Sequence, residues 1–87
     1  MPITGIQIRM ARAALAWKVR DLAFRAGVNP STVSRIENGS GSLTDTLARL
    51  RAVLEANGIV FIPPNGLGPG VRLRSAAPRP PLPPSHE

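Results

Sequence analysis

Between Asn29 and Arg35 the chain places three hydroxyls and a guanidinium within a few residues: Ser31, Thr32, Ser34 and Arg35, with Pro30 just ahead of them. These groups recognise; they do not react. No base stands beside the serines, the chain has no Cys, and its one His, His86, lies near the end of the sequence. A His pair, a thiolate metal site and a disulfide framework are therefore excluded. Nucleophile–base pairs and phosphate loops are also missing, so no enzyme, metal or cofactor is expected. Small hydroxyls suit phosphate oxygens, and an Arg fork matches O6 and N7 of guanine. With 11 Lys+Arg against 5 Asp+Glu, a net charge of +6, the composition favours an anionic partner.

Two short helices must carry these groups. Val19, Leu22, Ala23 and Ala26 recur at helical spacing and give the first an apolar face. Gly27 follows, suited to a left-handed stop. Asn29 is a good N-cap and Pro30 a good first helical residue. Val33 and Ile36 form the buried side of the second helix, Asn38-Gly39 end it, and Pro30, Ser31, Ser34 and Arg35 are left outward.

Helix, Gly turn and helix at this spacing make a helix-turn-helix pattern. The stretch LAFRAGVNPSTVSRIENG resembles the recognition unit of the Cro and phage-repressor family, the xenobiotic-response-element regulators. The likeness extends over about residues 5–58 and rests on Leu22-Ala23, Ala26-Gly27-Val28, Ser31 to Ser34 and Ile36 to Gly39. It implies a mainly α fold: a compact, lambda-repressor-like bundle of four to five helices whose third helix enters the major groove.

The resemblance also implies roles. Base contacts fall on Pro30, Ser31 and Arg35, with Ser34 on the same face. Arg35 is the strongest reader, against the alternative of a phosphate contact; Pro30 offers only shape or a thymine-methyl contact. Phosphate contacts are expected from Thr32, Ser40, Ser42 and Thr44. Relatives usually carry a Ser, Thr or Asn cap and then a phosphate-binding Gln where this chain has Lys18-Val19, so Lys18 and Arg20 are the substitutes. Arg12 and Glu37 occupy the places of a partly buried ion pair; the alternative is a phosphate contact for Arg12 and a solvated Glu37. Ala16 stands where relatives usually have Gly. A left-handed Ala costs on the order of 1 kcal/mol, so helix 1 is expected to end differently.

Around this unit, Thr4 and Gln7 read as a capping box opening helix 1, which runs to about Ala16. Met1 to Ile3 is expected to be a frayed arm. Trp17, the only Trp, is expected to seal helices 1 and 2. With two Phe and no Tyr, the chain has no aromatic platform for single-stranded bases. Ser42 and Asp45 cap a fourth helix with Leu43, Leu47, Leu50 and Leu54 as its stripe and Asn57-Gly58 as its stop; Arg49 and Arg51 belong to its solvated face.

Ile59 to Ile62 is a short apolar strand, Pro63 to Gly70 a turn-rich loop, and Val71 to Arg74 an alternating strand. GIVFIPPNGLGPGVRLR resembles the C-terminal extension of many short bacterial members of the family. A lone hairpin is marginal in water, so Ile59, Phe61, Ile62, Val71 and Leu73 either pair across a two-fold axis or cap their own core. Ser75 to Glu87 is Pro-rich and expected to be disordered, a tail or a ligand for a Pro-binding module. The expected division is 1–58 for DNA binding, 59–74 for the hairpin and 75–87 for the tail.

No signal peptide or membrane span is read, and a cytoplasmic, nucleoid-associated protein is expected. The expected partners are double-stranded DNA and a second copy of the chain, with a further protein for the tail. With no effector domain in view, the function expected is a homodimeric repressor on a near-palindromic operator. The alternatives are an antitoxin, or an interaction module that no longer reads bases.

Overall fold

A computed structural model describes residues 3–40, 44–64 and 66–74. Four helices come first: α1 (Gly5–Ala14), α2 (Val19–Ala26), α3 (Pro30–Glu37) and α4 (Thr44–Ala56). An antiparallel hairpin follows, β1 (Ile59–Ile62) and β2 (Gly70–Leu73). Ile59 pairs with Leu73, Phe61 with Val71 and Ile62 with Gly70. The second strand lies one residue earlier than the alternation of Val71 to Arg74 predicts.

One core joins the four helices and β1, with Val71 and Leu73 of β2 packed against it. It contains Ile8 and Ala11 of α1, Leu22 and Ala23 of α2, Val33 and Ile36 of α3, Leu50 and Leu54 of α4, and Ile59 and Phe61 of β1. These are the inward positions of each helical stripe, and β1 alternates as a strand with one buried face does. Ile3 belongs to this core and is only 6% exposed, which corrects the expectation of a frayed arm. Thr4 is the N-cap of α1, so Ile3 and Ile8 occupy the two positions of a hydrophobic staple around the capping box.

Three helix ends share one construction. After α1, Ala16 takes a left-handed φ of 58°, its N–H donates to Ala13 O and the Trp17 N–H reaches back to Arg12 O. After α2 and α3, Gly27 and Gly39 take the same handedness, and Val28 and Ser40 donate to Ala23 and Arg35. This is the Schellman closure, which satisfies carbonyls the helix leaves open. The chain therefore turns at Ala16 as a Gly-bearing relative would, contrary to expectation, and Ala16 is the only non-glycine described residue with positive φ.

The hairpin is fastened to the helices through Gln7. Its side-chain Nε2 donates to Ile62 O and Gly70 O, each at 2.9 Å, while Oε1 accepts from the Thr4 N–H. Gln7 is fully buried. At the other end of the hairpin the Arg74 N–H donates to Gly58 O.

Candidate nucleic-acid interface

α3 is held from its inner side and open on its outer side. Asn29 caps it, its Oδ1 accepting from the Ser31 N–H at 2.9 Å, and Pro30 occupies the first turn. Val33 and Ile36 are buried, while Pro30, Ser31 and Arg35 are exposed and Thr32 and Ser34 half-buried. The Ser31 hydroxyl also donates to Asn29 Oδ1, at 2.8 Å. With its proton so engaged, the hydroxyl oxygen keeps its lone pairs to accept with. The expected outward set is thus together on one side of α3, with Ser34 the least open of the four.

The C-terminal end of α3 is pinned by charge. Arg12 Nε and Nη2 donate to the two oxygens of Glu37 at 2.8 and 2.9 Å, and Nη1 donates to Trp17 O at 3.0 Å. The Glu37 side chain is 2% exposed. The hydrogen bond to Glu37 raises the Arg12 pKa further above its ordinary value, against a smaller lowering by burial. The alternative of a phosphate-bound Arg12 and a solvated Glu37 is set aside by this geometry. Arg9 adds a longer 3.5 Å contact to Glu37 and donates to Asn38 Oδ1 at 2.9 Å. The N-terminus of α1 presses close here: a Cβ on Gly5 would meet the Ile36 carbonyl oxygen.

α2 begins without a side-chain cap from Lys18; instead Asp21 accepts the Lys18 N–H at 2.8 Å. This secures the helix start that Lys18-Val19 leaves without a Ser, Thr or Asn. Val19 packs against the core, and Lys18 and Arg20 are exposed beside it. Ser40 is exposed just beyond α3, and Thr44 is exposed at the start of α4. Ser42, Leu43 and the segment 75–87 lie outside the described residues.

Elsewhere the candidates divide. Ile59 and Phe61 turn into the chain's own core, whereas Ile62, Val71 and Leu73 are only partly buried. Trp17 packs against the core with Arg25 4.4 Å above its ring. Arg51, expected on a solvated face, pairs with Glu55 at 3.1 Å and lies over Phe61; Arg49 is exposed.

Sequence reasoning missed Arg9, Asn38, Gly5 and the second role of Gln7. Only Gln7 carried a local signal, its capping-box position. The others depend on contacts between elements.

No helix among the described residues is long and apolar enough to cross a membrane. No curated protein matches the chain. A helix-turn-helix family model matches residues 8–58, more than half of the chain and spanning all of α2, α3 and α4. With that match laid over a pinned, outward-polar α3, the chain belongs to the Cro/repressor-type helix-turn-helix family of DNA-binding regulators.

Proposed function

We propose that the protein is a homodimeric repressor that covers a near-palindromic operator, one α3 per half-site. What supports this is the two-sidedness of α3. Its inner face is fixed by Val33, Ile36 and the buried Glu37 carboxylate. Its outer face presents Pro30 and Ser31 at the N-terminal end that helix-turn-helix proteins offer to base edges, with Ser34 and Arg35 about one turn further along. Arg35 has the geometry for a guanine, Ser31 for an amino group, and Pro30 for a thymine methyl. Lys18, Arg20, Thr32, Ser40, Ser42 and Thr44 supply phosphate contacts in this reading, and the net charge of +6 favours the encounter.

The hairpin is the dimerisation element in the same reading. Val71 and Leu73 pack against the core on the same face as Ile59 and Phe61 and are only partly covered, while Val60, 39% exposed, and Ile62 offer apolar surface on the opposite face. Two copies joined here would set their α3 helices about 34 Å apart, in successive major grooves. The division into residues 1–58, 59–74 and 75–87 follows this assignment of roles.

Selection from a random duplex pool tests the proposal, followed by titration of the winner and of scrambled DNA at two salt concentrations. A palindromic winner preferred by about a thousandfold or more is the expected result. Absence of any winner, with affinity that merely collapses with salt, would overturn it.

A further inference from the structure

Phe24 is 88% exposed on α2. It lies in a groove of about 680 Å³ lined by Arg20, Asp21, Phe24, Arg25, Val28 and Pro30. The apolar members are Phe24, Val28 and Pro30, and the charged rim is Arg20 and Arg25. Asp21, which also caps the Lys18 N–H, offsets one of these two arginines, so the rim keeps a net positive charge. Arg25 is held in place by the Trp17 ring at 4.4 Å. The other large exposed apolar side chains have no such setting. Leu67 stands between two glycines in the hairpin loop, and Ile6 lines a groove whose charges, Arg9 and Glu37, already meet each other.

We propose that this groove docks a segment of another protein that presents one aromatic or branched apolar residue flanked by carboxylates. Charge complementarity selects the occupant. A second copy of the chain does not match: among the described residues its large exposed apolar side chains are Ile6, Phe24, Val60 and Leu67, and none of them has an Asp or Glu beside it in the sequence. The segment 75–87 does not match either, since its Arg79 offsets Glu87. A duplex would satisfy the arginines, but its charged phosphate backbone is a poor counterpart for an 88% exposed ring. An apolar side chain seated against Phe24, with acidic neighbours on the rim, uses both features of the groove.

The groove shares Arg20 and Pro30 with the proposed DNA face, so the test reads peptide binding and duplex binding separately. A displayed library of random peptides is selected on the full-length protein, and the best peptide is synthesised and titrated with Trp17 emission as one readout. Enriched peptides carry an apolar residue flanked by Asp or Glu. Phe24→Ala weakens the best of them at least about tenfold, as does Arg25→Glu. Phe24→Ala keeps the wild-type melting temperature, because the side chain is exposed, and binds duplex as the wild type does. Failure of any peptide to enrich would overturn the proposal, as would equal binding to Phe24→Ala. Loss of duplex binding by Phe24→Ala would overturn it too, assigning the patch to the DNA face.

Discussion

Arg12 grips Glu37 through two parallel bonds of 2.8 and 2.9 Å, joining α1 to the last turn of α3. The carboxylate is nearly out of reach of water, at 2% exposed, whereas the Arg12 side chain is 20% exposed. Removing the cation strands a buried negative charge. Arg12→Ala is therefore expected to cost about 3 kcal/mol, the low end for breaking such a pair, because Arg9 at 3.5 Å is still near. Urea denaturation measures it, and a loss below about 1 kcal/mol would show that the fork is not what holds α3. The raised Arg12 pKa means that its contribution is fully present below the unfolded value and lost only as pH rises through the higher folded one. Titration of Arg12 thus leaves stability flat across the neutral range.

Ala16 closes α1 in a left-handed conformation that its Cβ disfavours. Strain relief from Ala16→Gly is about 1–2 kcal/mol. The greater freedom of Gly in the unfolded chain offsets about 0.4–1 kcal/mol of that. A net gain of up to about 1.5 kcal/mol is expected, read as a rise in melting temperature. A fall would mean that the turn carries no strain.

Gln7 joins three segments through one amide. Gln7→Leu keeps much of the volume but leaves the carbonyls of Ile62 and Gly70 without their donor. Each stranded acceptor costs about 1–3 kcal/mol, so a loss of about 2–4 kcal/mol is expected, the upper part of the range being relieved as the hairpin end opens to water. Amide exchange should accelerate in β1 and β2 more than in α2 and α3. Uniform acceleration would mean that the hairpin and helices unfold as one unit.

Much of this architecture could be read from local pattern. Leu22 with Ala23, Val33 with Ile36, and Leu50 with Leu54 mark helix faces because burial repeats with the helical turn. Asn29-Pro30 and Gly27 mark ends because caps are local chemistry. The Arg12–Glu37 pair was legible only through family resemblance, since its members lie far apart in the chain. Ile3 was misjudged because three residues show no period; its burial follows from the staple with Ile8. The tethering of the hairpin by Gln7 and the bracing of Asn38 by Arg9 depend on how α1 lies against the rest. No spacing within a single element encodes that. Phe24 lies off the Val19, Leu22, Ala23 and Ala26 stripe, so its exposure agrees with the helical period; the groove around it depends on how α2 meets α3.

Arg35 and Lys18 separate reading from holding. Arg35 is exposed on the outward side of α3, and Lys18 is exposed where α2 begins. In the proposed complex, Arg35 meets a base edge and Lys18 a phosphate. Arg35→Ala should then relax preference at one position per half-site, at a cost of about 1–3 kcal/mol on the favoured sequence. Lys18→Ala should weaken favoured and scrambled duplexes alike and lower the salt dependence by about one phosphate per subunit, a log–log slope change near 0.9 per subunit and about 1.8 for the dimer. Titration of the selected operator, single-base variants and scrambled DNA at several salt concentrations tests both. If Arg35→Ala weakens every duplex equally and lowers the salt slope, Arg35 contacts phosphate. Base discrimination would then rest on Ser31, Ser34 and Pro30, and on the shape of the DNA.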